Sequence, residues 1–409
     1  MTRIYPNTNP LIEEVLKNYF TADQAQEFNS KYLAEEQAPS EQKKSSIDLD
    51  IDLQSGMRTR SHIDLLITFA ESKLTQEKLL ALLLYLGQST IVSGEFVMAL
   101  DIHERLVASS TDNPQMKNIT ANAFLRMGEV YSRQARWELS FNYIGKANSL
   151  FSDENDIKGN AECENLLGTI YGDRGELDKA VEHFENALAI LEDNPDNALK
   201  GKIEINLGII SNILSNYDSA LSYFRRALLN FEKVEDIRRV AEVRQDMGMV
   251  YTKKKEYSSA LSEFDKSLQA AVDANYLQSL GINYLSKAYV FTQQADYELA
   301  EAFANKSMEV AYKLNDKLTI AEIYKVKGII QRNKNDYDVA ENYLLTGLRL
   351  NNEIGNQLNT AESSFELGLL YYMKNDKEKS KKYYSDALEY YKKINAQEEI
   401  KEIEDRLRL

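Results

Sequence analysis

The chain has 409 residues, and its 64 acidic side chains outnumber its 49 basic ones, giving a formal net charge of −15. So acidic a chain lacks the basic surface that nucleic acid or an anionic membrane requires, and neither is expected as a partner. With one cysteine, no zinc-binding spacing and no apolar stretch of roughly 18 residues, we expect a cytoplasmic protein without disulfides or membrane spans.

The first 36 residues predict a short N-terminal helical segment. Helical periodicity runs through Asn9–Phe20 and again through Ala22–Glu36. Thr21 stands immediately before the second run and is a candidate N-cap, because its hydroxyl can accept a hydrogen bond from a free backbone amide. We therefore predict two helices in residues 1–36.

Residues 37–60 are polar and irregular, and predict a flexible linker. Within them, SSIDLDIDLQS (residues 45–55) alternates apolar residues with three aspartates. Alternation is typical of a strand, but no second strand-like run could pair with it. A calcium loop starting at Asp48 would need glycine at Leu53 and glutamate at Thr59. Two hypotheses remain: a plain tether, or a segment that docks in the protein's own groove.

From Gly128 to Gly368 the sequence repeats every forty residues without insertion or deletion. Each unit has two small residues twelve positions apart. A large apolar residue often lies sixteen positions after the first of these two small residues, as at Phe184 and Phe224. An eighth unit, one residue out of phase, surrounds Gly87. The first small residue of each unit is called its reference residue below. The other reference residues are Gly128, Gly168, Gly208, Gly248, Ala288, Gly328 and Gly368.

Each unit predicts a helix–turn–helix. In the stretch that begins at Glu162, two runs of helical periodicity flank a break at Gly172 and Gly175. The small residues allow the two helices to approach closely. One such hairpin cannot bury its own apolar faces, so neighbouring units must stack. We predict an all-α solenoid of about eight units over residues 61–395, with a capping helix at 396–409.

The repeat resembles the tetratricopeptide repeat (TPR), and the resemblance covers about residues 75–395. The residues that carry it are Leu167-Gly168, Tyr171, Ala180, Phe184 and Ala187. It implies a right-handed superhelical solenoid. The forty-residue period is similar to that of LGN-type spindle-orientation adaptors and of Rap-like bacterial peptide-pheromone receptors.

The resemblance also implies that the first helix of each unit lines a concave inner wall where a partner binds. Amide side chains there could pair with a peptide backbone, and arginine or lysine with its carboxylates. The alternative is that these are solvated polar residues without a ligand. The candidate partner-binding residues are Asn122, Arg126, Arg133, Asn165, Lys202, Asn206, Gln245, Tyr289, Lys325, Arg332 and Tyr372. Glu129, Glu162 and Asp246 occupy inward positions on the same wall.

No catalytic, cofactor or metal site is predicted. The three histidines lie in different units and are expected to be partly exposed helix residues, while Cys163 stands between two acids that disfavour its thiolate. The sequence therefore predicts a non-catalytic scaffold or adaptor that binds a peptide or helix of a partner protein in its groove. The alternative is a ligand- or peptide-gated signalling regulator, in which groove occupancy moves the N-terminal helices.

Overall fold

The computed structural model describes residues 10–33, 49–111, 113–193, 195–394 and 396–408. These residues form twenty α-helices and no strand, so the prediction of an all-α chain is confirmed. The helices are α1 Pro10–Tyr19, α2 Ala22–Phe28, α3 Leu49–Lys73, α4 Gln76–Val92, α5 Phe96–Ser110, α6 Lys117–Arg133, α7 Trp137–Asp153, α8 Ile157–Asp173, α9 Leu177–Ile190, α10 Asn197–Ile213, α11 Tyr217–Lys233, α12 Ile237–Lys253, α13 Tyr257–Asp273, α14 Leu277–Gln293, α15 Tyr297–Leu314, α16 Lys317–Asn333, α17 Tyr337–Ile354, α18 Gln357–Met373, α19 Lys377–Lys393 and α20 Gln397–Leu407.

From α4 onward the helices pack as consecutive pairs, from α4–α5 to α18–α19, and α20 packs on α19. These are the eight predicted units. The first helix of each pair is called the A helix and the second the B helix. The chain divides into two compact units: an N-terminal unit that ends at Asp196 and a C-terminal unit that begins at Asn197. The sequence-based boundaries did not include this division.

The reference residues are small because a side chain of the B helix lies directly against them. A Cβ atom added at Gly168 would lie 2.7 Å from the ring of Phe184, and one added at Gly248 would lie 2.5 Å from Phe264. Both rings are sixteen residues after the reference residue and are buried. The predicted close approach of the two helices is therefore confirmed.

Two further columns of small residues fasten each hairpin. One lies seven residues before the reference residue and was missed in the sequence. The other lies nineteen residues after it and includes Ala187, which the TPR resemblance named. The Ser267 hydroxyl donates to the backbone carbonyl of Ala241 at 2.6 Å, and Ser307 donates to Gly281 at 2.7 Å. A serine in these columns thus satisfies its own hydroxyl on the A helix without needing additional space.

The turns follow a period of twenty residues. Within the part of the chain that the structure describes, nearly every turn from α6 onward has one residue with a left-handed backbone. Position 195 would be the member of this series after Gly175, but the ring of Pro195 fixes its φ near −65°. Helix α9 before it has 14 residues, whereas α8 has 17. The left-handed residues are Ala135, Asn155, Gly175, Ser215, Glu235, Lys255, Asn275, Ala295, Asn315, Asn335, Gly355 and Asn375.

The predicted linker requires a correction at its C-terminal end. Helix α3 begins at Leu49, so residues 49–60 are helical and the strand-like alternation does not form a strand there. No proline lies between Pro39 and Pro114 to stop a helix from extending toward the N-terminus. Residues 37–48, and with them the question of a tether or a docked segment, lie outside the described residues.

The second N-terminal helix, α2, begins after Thr21 as predicted. The Thr21 hydroxyl accepts a hydrogen bond from the Gln24 amide at 3.3 Å, and the Gln24 side chain accepts one from the Thr21 amide at 3.0 Å. This reciprocal pair is a capping box, which confirms the predicted N-cap. Ile12 of α1 and Phe28 of α2 are buried in one core with Phe69 of α3.

Candidate functional site

The inward positions of the N-terminal unit hold a cluster of charged side chains. Arg126 Nη1 lies 2.9 Å from Glu129, and its Nη2 contacts Glu162 on the next A helix, α8. Arg133 also reaches Glu129, at 2.9 Å. Burial disfavours the ionised form of Glu129, but Arg126 outweighs it and holds the pKa of Glu129 below its usual value. The cluster therefore joins α6 to α8.

The C-terminal unit uses the same device between α16 and α18. Lys325 Nζ lies 2.7 Å from Glu322 and also contacts Glu362, while Arg332 contacts Glu366. The side chains of Lys325 and Arg332 are only 11% and 7% exposed. Carboxylates of the chain itself already occupy these cations. A partner's carboxylates would therefore have to displace Glu362 and Glu366 to pair with Lys325 and Arg332, whose role in binding stays a prediction.

Two of the predicted amide side chains are also engaged within the chain. Asn122 Nδ2 donates to the backbone carbonyl of Asn118 at 2.9 Å, one helical turn away. Gln245 accepts a hydrogen bond from Asn283 of the next A helix at 3.3 Å. Hydrogen bonds from one A helix to the next keep neighbouring hairpins in register. Lys202, in contrast, is exposed and forms no ion pair with any residue that the structure describes.

An exposed apolar row crosses the inward positions of the C-terminal unit. Ile209, Met249 and Tyr289 each follow a reference residue by one position, and they are 42%, 40% and 39% exposed. We call these three residues the inner stripe. Tyr289 was predicted from the sequence, but Ile209 and Met249 were missed. The available signal was their position, which is the one that Glu129 occupies in the N-terminal unit.

Asp246 lies beside the inner stripe, one helical turn before Met249 on α12. Burial, reinforced by the negative charge of Glu242, raises the pKa of Asp246 to about 7. Glu242 is satisfied by Arg239 at 2.7 Å and by the Tyr276 hydroxyl at 3.0 Å. Asp246 receives neither an ion pair nor a hydrogen bond from the described part of the chain. Asp246 is therefore an acid without a neighbouring positive charge, beside a row of apolar side chains.

Two buried groups were candidates for chemistry and offer little. Burial, with help from Glu162, raises the pKa of the Cys163 thiol to about 12, so the thiol stays protonated at neutral pH. His103 was predicted to be partly exposed, but it is fully buried, because it fills the position that faces Gly87. Among the described residues, no three histidine, cysteine, aspartate or glutamate side chains are placed to hold a metal ion.

No helix in the described ranges is both long enough and apolar enough to cross a bilayer.

The family follows from the repeats. A model of the tetratricopeptide repeat matches residues 119–193, 200–271 and 319–393, which together make up more than half of the chain. The chain belongs to the tetratricopeptide repeat family. Among curated proteins, no match was found.

Solved structures show the same TPR fold at low sequence identity. Aspartyl phosphate phosphatase F from Bacillus subtilis is 14% identical with a TM-score of 0.58, covering 95% of each chain. A signal transduction ATPase with numerous domains, which has a tetratricopeptide repeat sensor, comes from Pyrococcus horikoshii. It is 13% identical with a TM-score of 0.60, covering 97% of this chain and 57% of that one. The Rap conjugation gene regulator of plasmid pLS20, solved with the Phr* peptide, is 16% identical with a TM-score of 0.52, covering 84% and 94%.

Five of the predicted residues fall into two groups, one paired within the chain and one exposed to solvent. Arg126, Lys325 and Arg332 are tied to carboxylates on the next A helix. Tyr289 and Tyr372, which are 39% and 48% exposed, remain open to solvent. The exposed residues at the inward positions thus include aromatic and apolar side chains as well as the polar Lys202.

Proposed function

We propose that this protein is a non-catalytic adaptor that binds a linear peptide segment of a partner on the inward face of its C-terminal unit. The supporting observation is the inner stripe: three consecutive repeats expose an apolar side chain at the same position. Exposed apolar residues in register on a polar chain mark an interaction surface. The peptide in the pLS20 regulator, which shares the fold, supports this class of partner.

The test is selection of a random dodecapeptide phage library on the full chain, followed by fluorescence anisotropy with the enriched peptides. Met249→Asn should weaken binding at least tenfold, because it removes an apolar contact at the centre of the stripe. Leu229→Asn is the matched control, since Leu229 is 58% exposed on the B helix α11 of the same unit. It should bind within twofold of the unmodified chain. Failure to enrich any peptide, or equal losses in both variants, would contradict the proposal.

A peptide-gated regulator is the second candidate, and one contact favours it. Glu14 of α1 raises the pKa of the Tyr85 hydroxyl on the first A helix, α4, and the Tyr19 ring of α1 lies 6.1 Å from the Tyr85 ring. The N-terminal helix thus touches the repeat array directly. Hydrogen exchange of α1 distinguishes the two functions: peptide binding should change it in a regulator and leave it unchanged in an adaptor.

The remaining features of this proposal rest on the sequence. The net charge of −15 supports a partner that is neither nucleic acid nor membrane. A cytoplasmic location, the absence of a cofactor and the absence of catalysis stay predictions. A purified chain that hydrolysed aspartyl phosphate would overturn the last of them.

A further inference from the structure

Asp246 lies beside the inner stripe, and an apolar docking surface does not explain why an acid is present there. Met249 Sδ lies 3.7 Å from Ser286 Oγ, which is 37 residues later on the next A helix. Asp246 lies on α12 with Met249, and the preceding and following A helices, α10 and α14, carry Ile209 and Tyr289. The A helices on either side of Asp246 therefore each carry one member of the inner stripe.

The electrostatic surroundings of Asp246 favour a cation from outside the chain. Glu242 adds negative charge, and nothing in the chain offsets the burial that raises the pKa of Asp246. Lys202 on α10 and Lys253 on α12 are exposed, and neither pairs with it. On the next A helix, α14, Ser286 contacts Met249 and Asn283 donates a hydrogen bond to Gln245, and neither of these side chains is charged. A carboxylate that is desolvated and unpaired gains more from an ion pair than an exposed one does, because the local dielectric is lower.

The position of Asp246 also shows which kind of cation fits. The inner stripe continues on both sides of the helix that carries Asp246, to Ile209 on α10 in one direction and to Tyr289 on α14 in the other. A ligand that covers the stripe must pass across the carboxylate rather than end at it. The cation is therefore a side chain within the segment and not its terminal amine.

We propose that the C-terminal unit selects linear segments in which an arginine or lysine lies between large apolar residues, its charged group paired with Asp246 and its apolar neighbours on the inner stripe. This inference rests on the proposed function and specifies its partner. It accounts for an acid that the stack of helices does not use.

The test uses the full chain and two decapeptide libraries with acetylated and amidated ends. They share random apolar residues around the centre and differ only at the central position, which is arginine in one library and its neutral analogue citrulline in the other. The arginine library should bind at least tenfold more tightly. Asp246→Asn, which keeps the shape and removes the charge, should abolish that difference. Glu309→Gln, on the exposed face of α15, is the matched control and should preserve it.

A pH series gives a readout that a merely structural role of Asp246 would not move. Because the carboxylate ionises near pH 7, the preference for arginine should grow between pH 6 and pH 8 in the unmodified chain. It should stay flat in the Asp246→Asn variant. The other titratable side chains near the site are Glu242, Lys202, Lys253 and Tyr289, and free glutamate, lysine and tyrosine side chains ionise outside this interval.

The outcomes separate this inference from the proposed function. Equal binding of both libraries, lost in Met249→Asn, would leave peptide binding intact and overturn the charge preference. Binding of neither library would overturn both. Citrulline peptides with a free amino terminus that bind as tightly as the arginine library would show that the cation is a terminal amine, which also contradicts the proposal.

Discussion

At the scale of single residues, one methyl group decides how each hairpin closes. The reference glycines leave no space for a Cβ atom, because a buried ring or branched side chain lies within about 3 Å of where it would be. One unit reverses this relation: its reference residue is Ala288, and the residue sixteen positions later is only Ala304, both fully buried. The two positions therefore exchange volume, as expected of a closely packed interior.

Helix α8 offers a direct test of that packing, since it carries two glycines four residues apart. Gly168→Ala should destabilise the protein by about 1–3 kcal/mol, because the new methyl group overlaps the Phe184 ring. Gly172→Ala should be neutral or stabilise by up to about 1 kcal/mol, because its nearest neighbour would be the Ala180 methyl at 3.9 Å. Urea denaturation of the two variants measures both. Equal effects would show that helix propensity, not the Phe184 contact, dominates.

His103 makes the stability of the N-terminal unit depend on pH. It has no exposed surface and neither ring nitrogen has a partner among the described residues. Burial, with a contribution from Arg126, lowers the pKa of His103 to about 4 from the usual 6.5. The unfolded chain therefore binds a proton that the folded chain refuses, and stability present above pH 6.5 is lost as the pH falls toward 4.

The His103→Phe variant isolates this effect, because phenylalanine occupies the same position in other units. Across that interval the unmodified chain should lose roughly 3 kcal/mol more of its unfolding free energy than the variant does. Urea titrations at pH 8, 6.5, 5 and 4 provide the comparison, and the carboxylates common to both proteins cancel in the difference. Parallel pH profiles would show that His103 is not the titrating group. The burial of His103 was missed because a polar residue in helical spacing is read as exposed, although its place sixteen residues after Gly87 is the buried position of the other units.

At the scale of helices, the A and B helices of a hairpin contact each other through a pair of side chains whose chemistry differs from repeat to repeat. The residue four before the reference position meets the one fifteen after it. Arg244 lies 3.1 Å from Glu263, whereas Tyr324 and Tyr343 at the same positions have ring centroids 5.9 Å apart. Either a charge pair or an aromatic pair thus fills the same place. These pairs lie within one repeat, so the register of the sequence is enough to predict them.

Contacts between repeats were harder to predict than the hairpins themselves. The forty-residue columns specify which residues face each other in one unit. Arg126 reaches Glu162 and Arg332 reaches Glu366, at sequence offsets of 36 and 34 residues. Which offset is realised depends on how one hairpin stacks on the next. The exposure of Met249 has the same origin, since an apolar residue in helical spacing is ordinarily part of a core.

The turns between helices make a separate prediction. Ala295 has φ of 60°, a left-handed conformation that is unfavourable for residues with a Cβ atom. Ala295→Gly should therefore raise the unfolding free energy of the C-terminal unit by about 1 kcal/mol. Asn335→Gly, at the equivalent turn, should gain only a few tenths of a kcal/mol, because asparagine tolerates this conformation. Thermal melts of both variants provide the measurement, and a loss of stability in Ala295→Gly would contradict the assigned turn.

At the scale of the whole molecule, the two compact units should fold separately. A polypeptide of residues 197–409 contains five complete hairpins and α20, and we expect a helical circular dichroism spectrum and a cooperative urea transition. A chain that starts at Tyr217 is the control, because it separates α11 from its partner α10. It should be markedly less stable or aggregate. A 197–409 fragment that does not fold would show that its structure requires the N-terminal unit.

Pro195 interrupts an otherwise regular series of left-handed turns next to the boundary of the two compact units. Its position affects how far local unfolding can spread along the chain. In a repeat array each unit is stabilised by its nearest neighbours, so local unfolding tends to propagate along the chain. A proline at the boundary of the two compact units gives the array a natural point of arrest. A hairpin that opens in one unit, through mutation, heat or proteolysis, then need not take the other unit with it.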